Sequence, residues 1–177
     1  MNGATAGRYT LIARVLHWTM ALLVIAMIPA GFVLMSLPAG TVQDAAFNLH
    51  RSAGVLLLAL VLVRIGWRLG HPPPPLPAAL PAAQRAIAGV AHLGLYALLL
   101  AMPLIGWWAT SAYGAPIVVF GLFELPPLVA QDRALSERLF ALHGFAGIAL
   151  ALLIAAHAGA ALHHHFVRRD GVLRRML

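Results

Sequence analysis

The chain has 177 residues, of which 62% are hydrophobic and 10% charged, with a mean hydropathy of +0.88. A soluble domain of that length has too little interior for so much apolar surface, so the composition excludes one and points to an integral membrane protein seated in a lipid bilayer. Twelve basic residues, all arginine, face five acids for a net charge of +7; with no compact basic domain this balance suits lipid headgroups and not nucleic acid, and the absence of cysteine excludes disulfide, thiolate and iron–sulfur chemistry.

Four charge-poor runs are long enough to span the hydrocarbon layer, which takes about 20 helical residues. The first runs from Arg14 to Leu37, with Pro29 and Gly31 inside it. It is too long for the core of a cleavable signal peptide, and no small-residue cleavage pattern follows a short core. Pro38, Gly40 and Asp44 mark a loop. The second span runs from Phe47 to Leu69 and ends on Arg64 and Arg68, placed to snorkel to an interface. His71, Pro72 to Pro75, Pro77 and Pro81 then form a stiff extended linker. The third span runs from Arg85 to Ser111, with Pro103 inside and an aromatic belt of Trp107, Trp108 and Tyr113 at its end. Residues Gly114 to Glu137 read as a loop outside the membrane with a short interfacial segment in the apolar stretch Ile117 to Leu122. The fourth span runs from Arg138 to Val167, and a basic tail follows. The expected fold is an all-α, single-domain, four-helix membrane bundle, and no convincing internal repeat is visible.

Four spans place both termini on one side. That side collects nine arginines, at positions 8, 14, 64, 68, 85, 168, 169, 174 and 175; the other collects Arg51, Arg133 and Arg138 with four of the five acids. The positive-inside bias therefore predicts cytoplasmic termini.

The histidines carry the chemistry. His143 and His157 lie fourteen residues apart in the fourth span, which is about 21 Å along a helix and only ~40° short of whole turns, so both share one face at two depths. By topology His17 matches the depth of His157, and His50 that of His143. Two cross-helix imidazole pairs at two levels suit two stacked haems, each iron held by a neutral imidazole on either side. A haem plane also needs space one turn after its ligand, and Gly54 and Gly147 follow His50 and His143 at that spacing. An ordinary helix-to-helix hydrogen bond explains one membrane histidine better than four in matched pairs. Zinc calls for about four ligands at one level, and a histidine proton relay lacks an intramembrane carboxylate. His164, seven residues beyond His157, continues the ligand face towards a haem propionate or a quinone carbonyl, and His92 lies at a depth to serve the same level. Arg14, Arg51, Arg64 and Arg138 suit propionate pairing.

At these residues the chain resembles the bacterial cytochrome b561 family. The likeness rests on R-Y-T-L-I-A-R-V-L-H-W at Arg8 to Trp18, N-L-H-R-S-A-G at Asn48 to Gly54 and V-L-V-R-I-G-W-R-L at Val61 to Leu69. It continues in A-H-L-G-L-Y-A-L-L at Ala91 to Leu99, L-H-G-F-A-G at Leu142 to Gly147 and A-H-A-G-A-A-L-H-H-H-F at Ala156 to Phe166. The resemblance implies an inner-membrane protein with two b haems, His17 and His157 on the cytoplasmic-side haem and His50 and His143 on the outer one. It implies electron transfer from an outer one-electron donor to membrane quinone. Some members resemble superoxide oxidases, which pass an electron from periplasmic superoxide to ubiquinone; on that likeness His164 lies at the quinone site. An arginine near the outer haem, Arg51 or Arg138 before Arg133, then attracts the superoxide anion. The competing expectations are an electron-transfer subunit serving a hydrogenase or dehydrogenase partner protein, and, outside redox chemistry, a metal or proton transporter.

Overall fold

The computed structural model describes residues 7–75 and 80–177. Four long helices dominate it: α1 (Leu11–Leu34), α2 (Thr41–Gly70), α3 (Ala82–Tyr113) and α4 (Arg133–His163). All four are long and apolar enough to cross a membrane, and the chain is a membrane-spanning helical bundle. Pro29 and Pro103 lie inside α1 and α3. Of the proline linker, Pro72 to Pro75 adopt no regular structure, and Pro77 falls outside the described residues.

The helices begin ahead of the expected spans, while α1 stops at Leu34, short of the expected Leu37. The Thr10 hydroxyl accepts the Ala13 N–H, so α1 begins ahead of Arg14. α2 begins at Thr41 and takes Asp44 into its first turn, where a carboxylate suits the positive end of the helix dipole. α3 stops at Gly114, which takes the left-handed conformation (φ 84°). α4 starts beyond Asp132, whose carboxylate accepts the Leu135 N–H at 3.0 Å.

The segment between α3 and α4 is a β-hairpin, where the sequence suggested a loop with an interfacial stretch. Strands β1 (Ile117–Val119) and β2 (Phe123–Leu125) pair antiparallel, with Ile117 opposite Leu125 and Val119 opposite Phe123. The chain reverses through Phe120 and Gly121, both at positive φ, as a tight hairpin turn requires. Alternation buries Ile117 and Val119 and turns Val118 outwards. Buried Ser52 of α2 pins the hairpin: its hydroxyl accepts the Phe120 N–H at 2.9 Å and donates to the Val118 carbonyl at 3.3 Å. Ser52→Ala leaves that N–H without its acceptor, at an expected cost of about 1–3 kcal/mol; hydrogen exchange at Phe120 should speed up while the mid-helix amides stay protected.

Close backbone packing joins α1 to α2, α2 to α3, and α3 to α4. Near the hairpin, α3 and α4 approach through small residues: Ala109 and Ala112 are fully buried, and the buried Ser136 hydroxyl donates to the Ala109 carbonyl at 3.2 Å. Across the bundle, among the described residues, α4 makes no comparable backbone packing with α1 or α2. The space between them is bridged by side chains. At mid-height these are Met20, Val24, Leu57, Val61 and Leu150, the apolar core.

The termini meet at the end of the bundle opposite the hairpin. α4 continues into a π-helical turn (His164–Arg168) and a 3₁₀ turn (Leu173–Arg175). The tail then folds back over the start of α1: the Tyr9 N–H donates to the Arg175 carbonyl, Trp18 Nε1 donates to the Met176 carbonyl at 2.8 Å, and Arg14 donates to Leu177. Arg175 donates to the Gly7, Pro74 and Pro75 carbonyls.

Candidate functional site

Two histidine pairs face each other across the space between α4 and the α1–α2 side. Near the termini, the His17 ring lies 6.2 Å from that of His157, centre to centre, at an interplanar angle of 78°. Near the hairpin, His50 lies 6.3 Å from His143 at 72°. Between the two levels sits Leu150, seven residues from each α4 histidine and buried. The apolar core thus lies between the pairs.

The spacing has a direct chemical reading. A ligating imidazole nitrogen sits about 2 Å from its metal, and its ring centre about 1 Å further, so two imidazoles on opposite sides of one metal stand about 6 Å apart. Direct hydrogen bonding would bring the rings closer. The Nδ1 atoms of His50 and His143 are buried without a hydrogen-bond partner, and the Met102 backbone lies near the His143 ring. A ligating histidine ordinarily gives its second nitrogen to a carbonyl, which fixes the ring's tautomer and tilt. Donor type and separation fit a metal-centred group clamped between each pair, and the unsatisfied nitrogens add to this at the His50–His143 level.

The hairpin-side pair is built twice over from one local pattern. The His50 ring leans on Gly31 of α1, where a Cβ would stand 3.2 Å from His50 Cε1. The His143 ring leans on Gly106 of α3, where a Cβ would also stand 3.2 Å from Cε1. One turn along, the space above Gly54 is met by the Met27 methyl at 3.9 Å, and that above Gly147 by the Met102 methyl at 3.7 Å. Met-x3-Gly on α1 thus faces His-x3-Gly on α2, and Met-x3-Gly on α3 faces His-x3-Gly on α4. Gly106, Met27 and Met102 are absent from the sequence reading, which noted Gly31 only beside Pro29 inside the first span, and this recurrence is a repeat that it did not find. Its signal was present in M-I-P-A-G and A-M-P-L-I-G, at Met27 to Gly31 and Ala101 to Gly106. Gly54 and Gly147 stand where the sequence put them, one turn beyond His50 and His143, with a methionine methyl as the nearest neighbour of each.

The remaining expected residues divide by level. His92 of α3 joins the termini-side pair, its ring 5.3 Å from that of His157. Arg64 reaches the same region, donating to the Ala13 carbonyl at 2.7 Å and to the Tyr96 hydroxyl at 3.1 Å. Arg14 has a buried Nε without a partner. Arg51, beside His50, is half-buried; it donates to Asn48 and the Pro116 carbonyl and covers the Phe47 ring at 5.5 Å. Arg138 is exposed, and Arg133 pairs with Glu137 at 3.0 Å. His164 meets Asp170 of the tail. His71 stacks on Trp67 at 3.9 Å, away from both pairs.

Known proteins match the chain over nearly its full length. A family described as prokaryotic cytochrome b561 matches residues 8–177. Cytochrome b561 homolog 2 of Escherichia coli (strain K12) is 38% identical over 178 residues, covering 98% of this chain and 93% of its own. The probable superoxide oxidase CybB of Yersinia pestis is 31% identical over 173 residues, with 96% of each chain covered. Cytochrome b561 homolog 1 of Escherichia coli (strain K12) is 37% identical over 134 residues, 72% of each chain.

Proposed function

The chain belongs to the prokaryotic cytochrome b561 family of haem b electron-transfer proteins, and from that premise we propose that it carries electrons from periplasmic superoxide to ubiquinone across the bacterial inner membrane. Two b haems serve this path, one held by His50 and His143 and the other by His17 and His157. The carrying observation is the two facing pairs, 6.3 Å and 6.2 Å apart. Each haem supplies a one-electron iron couple when bound.

The chain's own residues set the conditions around that couple. The positive-inside count supports cytoplasmic termini, which makes the His50–His143 level the outer one. Gly54 and Gly147 leave room for the outer haem face, and Arg14 and Arg64 are placed to pair with propionates of the inner one. The layer around Leu150 keeps water from between the levels. Arg51 puts a half-buried positive charge beside His50, and Arg138 adds an exposed one on the turn before His143; both draw a small anion inwards. Glu137 offsets the charge of Arg133, which therefore contributes least. At the inner side His164 and His92 border the quinone's oxygens, and an imidazolium there is a proton donor. Overall, two superoxide ions lose one electron each and become dioxygen; the quinone takes both electrons and two cytoplasmic protons.

The test is a pulse of superoxide on purified protein, followed by haem absorbance with and without a short-chain ubiquinone. The expected result is rapid haem reduction that discharges only when quinone is present. Haems that ignore superoxide, yet accept electrons from a dehydrogenase or hydrogenase partner, would replace this reading with that of an electron-transfer subunit.

A further inference from the structure

The tail holds one acidic residue, Asp170, and the fold goes to some length to bring it back onto α4. Over His164–Arg168 the helix widens to a π turn. Arg169 then takes the left-handed conformation at φ 53°, which costs a non-glycine residue strain, and Gly171 follows at φ 76°. Strain of this kind persists where the surroundings impose it, and π turns gather at functional positions. Both Arg169 and Asp170 direct their N–H groups at the His164 carbonyl. The result is a short contact between Asp170 Oδ2 and His164 Nδ1. The other carboxylate oxygen accepts the Val172 N–H at 3.2 Å, which fixes the carboxylate's orientation. Both side chains are largely covered, at 18% and 23% exposure. The same tail accepts hydrogen bonds from the Tyr9 N–H and from Trp18 Nε1, and the Trp18 ring lies 5.3 Å from that of His17. The tail that carries Asp170 therefore closes the end of the bundle that holds His17, His92 and His157.

We propose that Asp170 is a positioning residue for quinone protonation: its carboxylate holds His164 Nδ1–H, so that Nε2 is the atom that carries a proton to the quinone oxygen. The proposal rests on the quinone reading above. In the step, the His164 Nε2–H bond breaks and a quinone O–H bond forms, once for each of the two protons that accompany the quinone's two-electron reduction. The imidazole then regains a proton from cytoplasmic water. Asp170 gives up no proton; it orients the ring and stabilises the imidazolium form. Burial works to raise the Asp170 pKa, but the hydrogen bonds from His164 and the Val172 N–H and the charges of His164 and Arg168 outweigh it and lower it. The carboxylate is therefore ionised at neutral pH, and its share of tail stability is lost only as pH falls through that lowered value. The other groups facing the pair are Arg168, tied to Gln84 of α3 at 2.7 Å, and His163, whose ring is 6.0 Å from that of His164.

The experiment uses the haem-loaded protein, reduced by superoxide and mixed with a short-chain ubiquinone over a range of pH. Asp170→Asn is expected to keep its haem content and its rate of reduction by superoxide. Its discharge to quinone should slow about ten- to hundredfold at unchanged half-saturation, and the alkaline fall of that rate should move to lower pH. Asp170→Glu should recover part of the rate. Arg175→Ala, which unties the tail at other contacts, should leave the pH profile in place. Wild-type discharge with an Asp170→Asn variant of equal rate and profile would overturn the proposal alone, as would an Arg175→Ala variant that reproduces the Asn profile. Wild-type haems that keep their electrons in the presence of quinone would overturn the quinone reading and this proposal with it.

Discussion

Replacing His143 with alanine is expected to leave about one b haem per chain, to keep the inner haem's spectrum, and to abolish reduction by superoxide. At the hairpin-side level His143 faces His50 alone, the two rings 6.3 Å apart. His92 lies beside His157 instead, too distant in depth to substitute. The inner pair sits fourteen residues further along α4, beyond the buried layer of Leu57, Val61 and Leu150, so the deletion's cavity stays local. Loss of one of the two imidazoles that would hold the outer haem removes half of the protein's hold on it. Pyridine haemochrome analysis with a redox titration checks the outcome: two steps should become one. Retention of both, or loss of both, would show that the pairing is drawn wrongly.

Gly106→Val should do nearly as much damage without touching a ligand. A Cβ there stands 3.2 Å from His143 Cε1 and 3.5 Å from Nδ1, and valine's two further methyls take up more of the same space. The ring must tilt or withdraw, and overpacking of this kind costs about 1–3 kcal/mol. The expected result is a shifted or lost outer-haem band with the inner band intact. Gly31→Val should act alike through His50, since its Cβ meets the same ring atom at the same 3.2 Å. Gly89→Val is the control, because a Cβ there meets nothing within 4 Å. An unshifted spectrum in Gly106→Val, or an equal shift in Gly89→Val, would contradict the role given to the glycine.

The residues that the sequence made legible are those whose information lies along the chain. Span lengths follow from runs of apolar residues, and the His143–His157 register follows from helical period alone. The cross-helix partners followed once topology assigned each histidine a depth, and His17 and His50 do face them in space. What stayed hidden depends on contacts between helices. Nothing in the local sequence ties Gly31 to His50 or Gly106 to His143, because each touches a ring from a neighbouring helix. The hairpin escaped notice because its turn is Phe120–Gly121 and not one of the commoner asparagine–glycine signals. Its strands are also only three residues each. Asp170 has no place in the sequence reading, since neither the π turn nor the left-handed Arg169 has a sequence signature. The starts of α1 and α4 moved outward for the same reason: Thr10 and Asp132 are capping residues whose weight is felt only when the backbone beyond them is already helical.

The angles between the paired rings carry a further consequence, for magnetism. At 78° and 72° neither imidazole pair is coplanar. Two parallel imidazoles on one ferric ion both act on the same iron dπ orbital and split it from its partner. Two crossed imidazoles act on one orbital each, which leaves the pair nearly equal in energy and the orbital moment largely unquenched. With haem held between each pair as proposed, the oxidised protein is expected to give low-spin ferric resonances of the strongly anisotropic kind, with one dominant low-field feature, and not the three well-resolved lines of parallel ligands. Paramagnetic resonance on the oxidised protein thus reports ring orientation directly, and turning either outer ring, as Gly31→Val or Gly106→Val should do, would move that low-field feature.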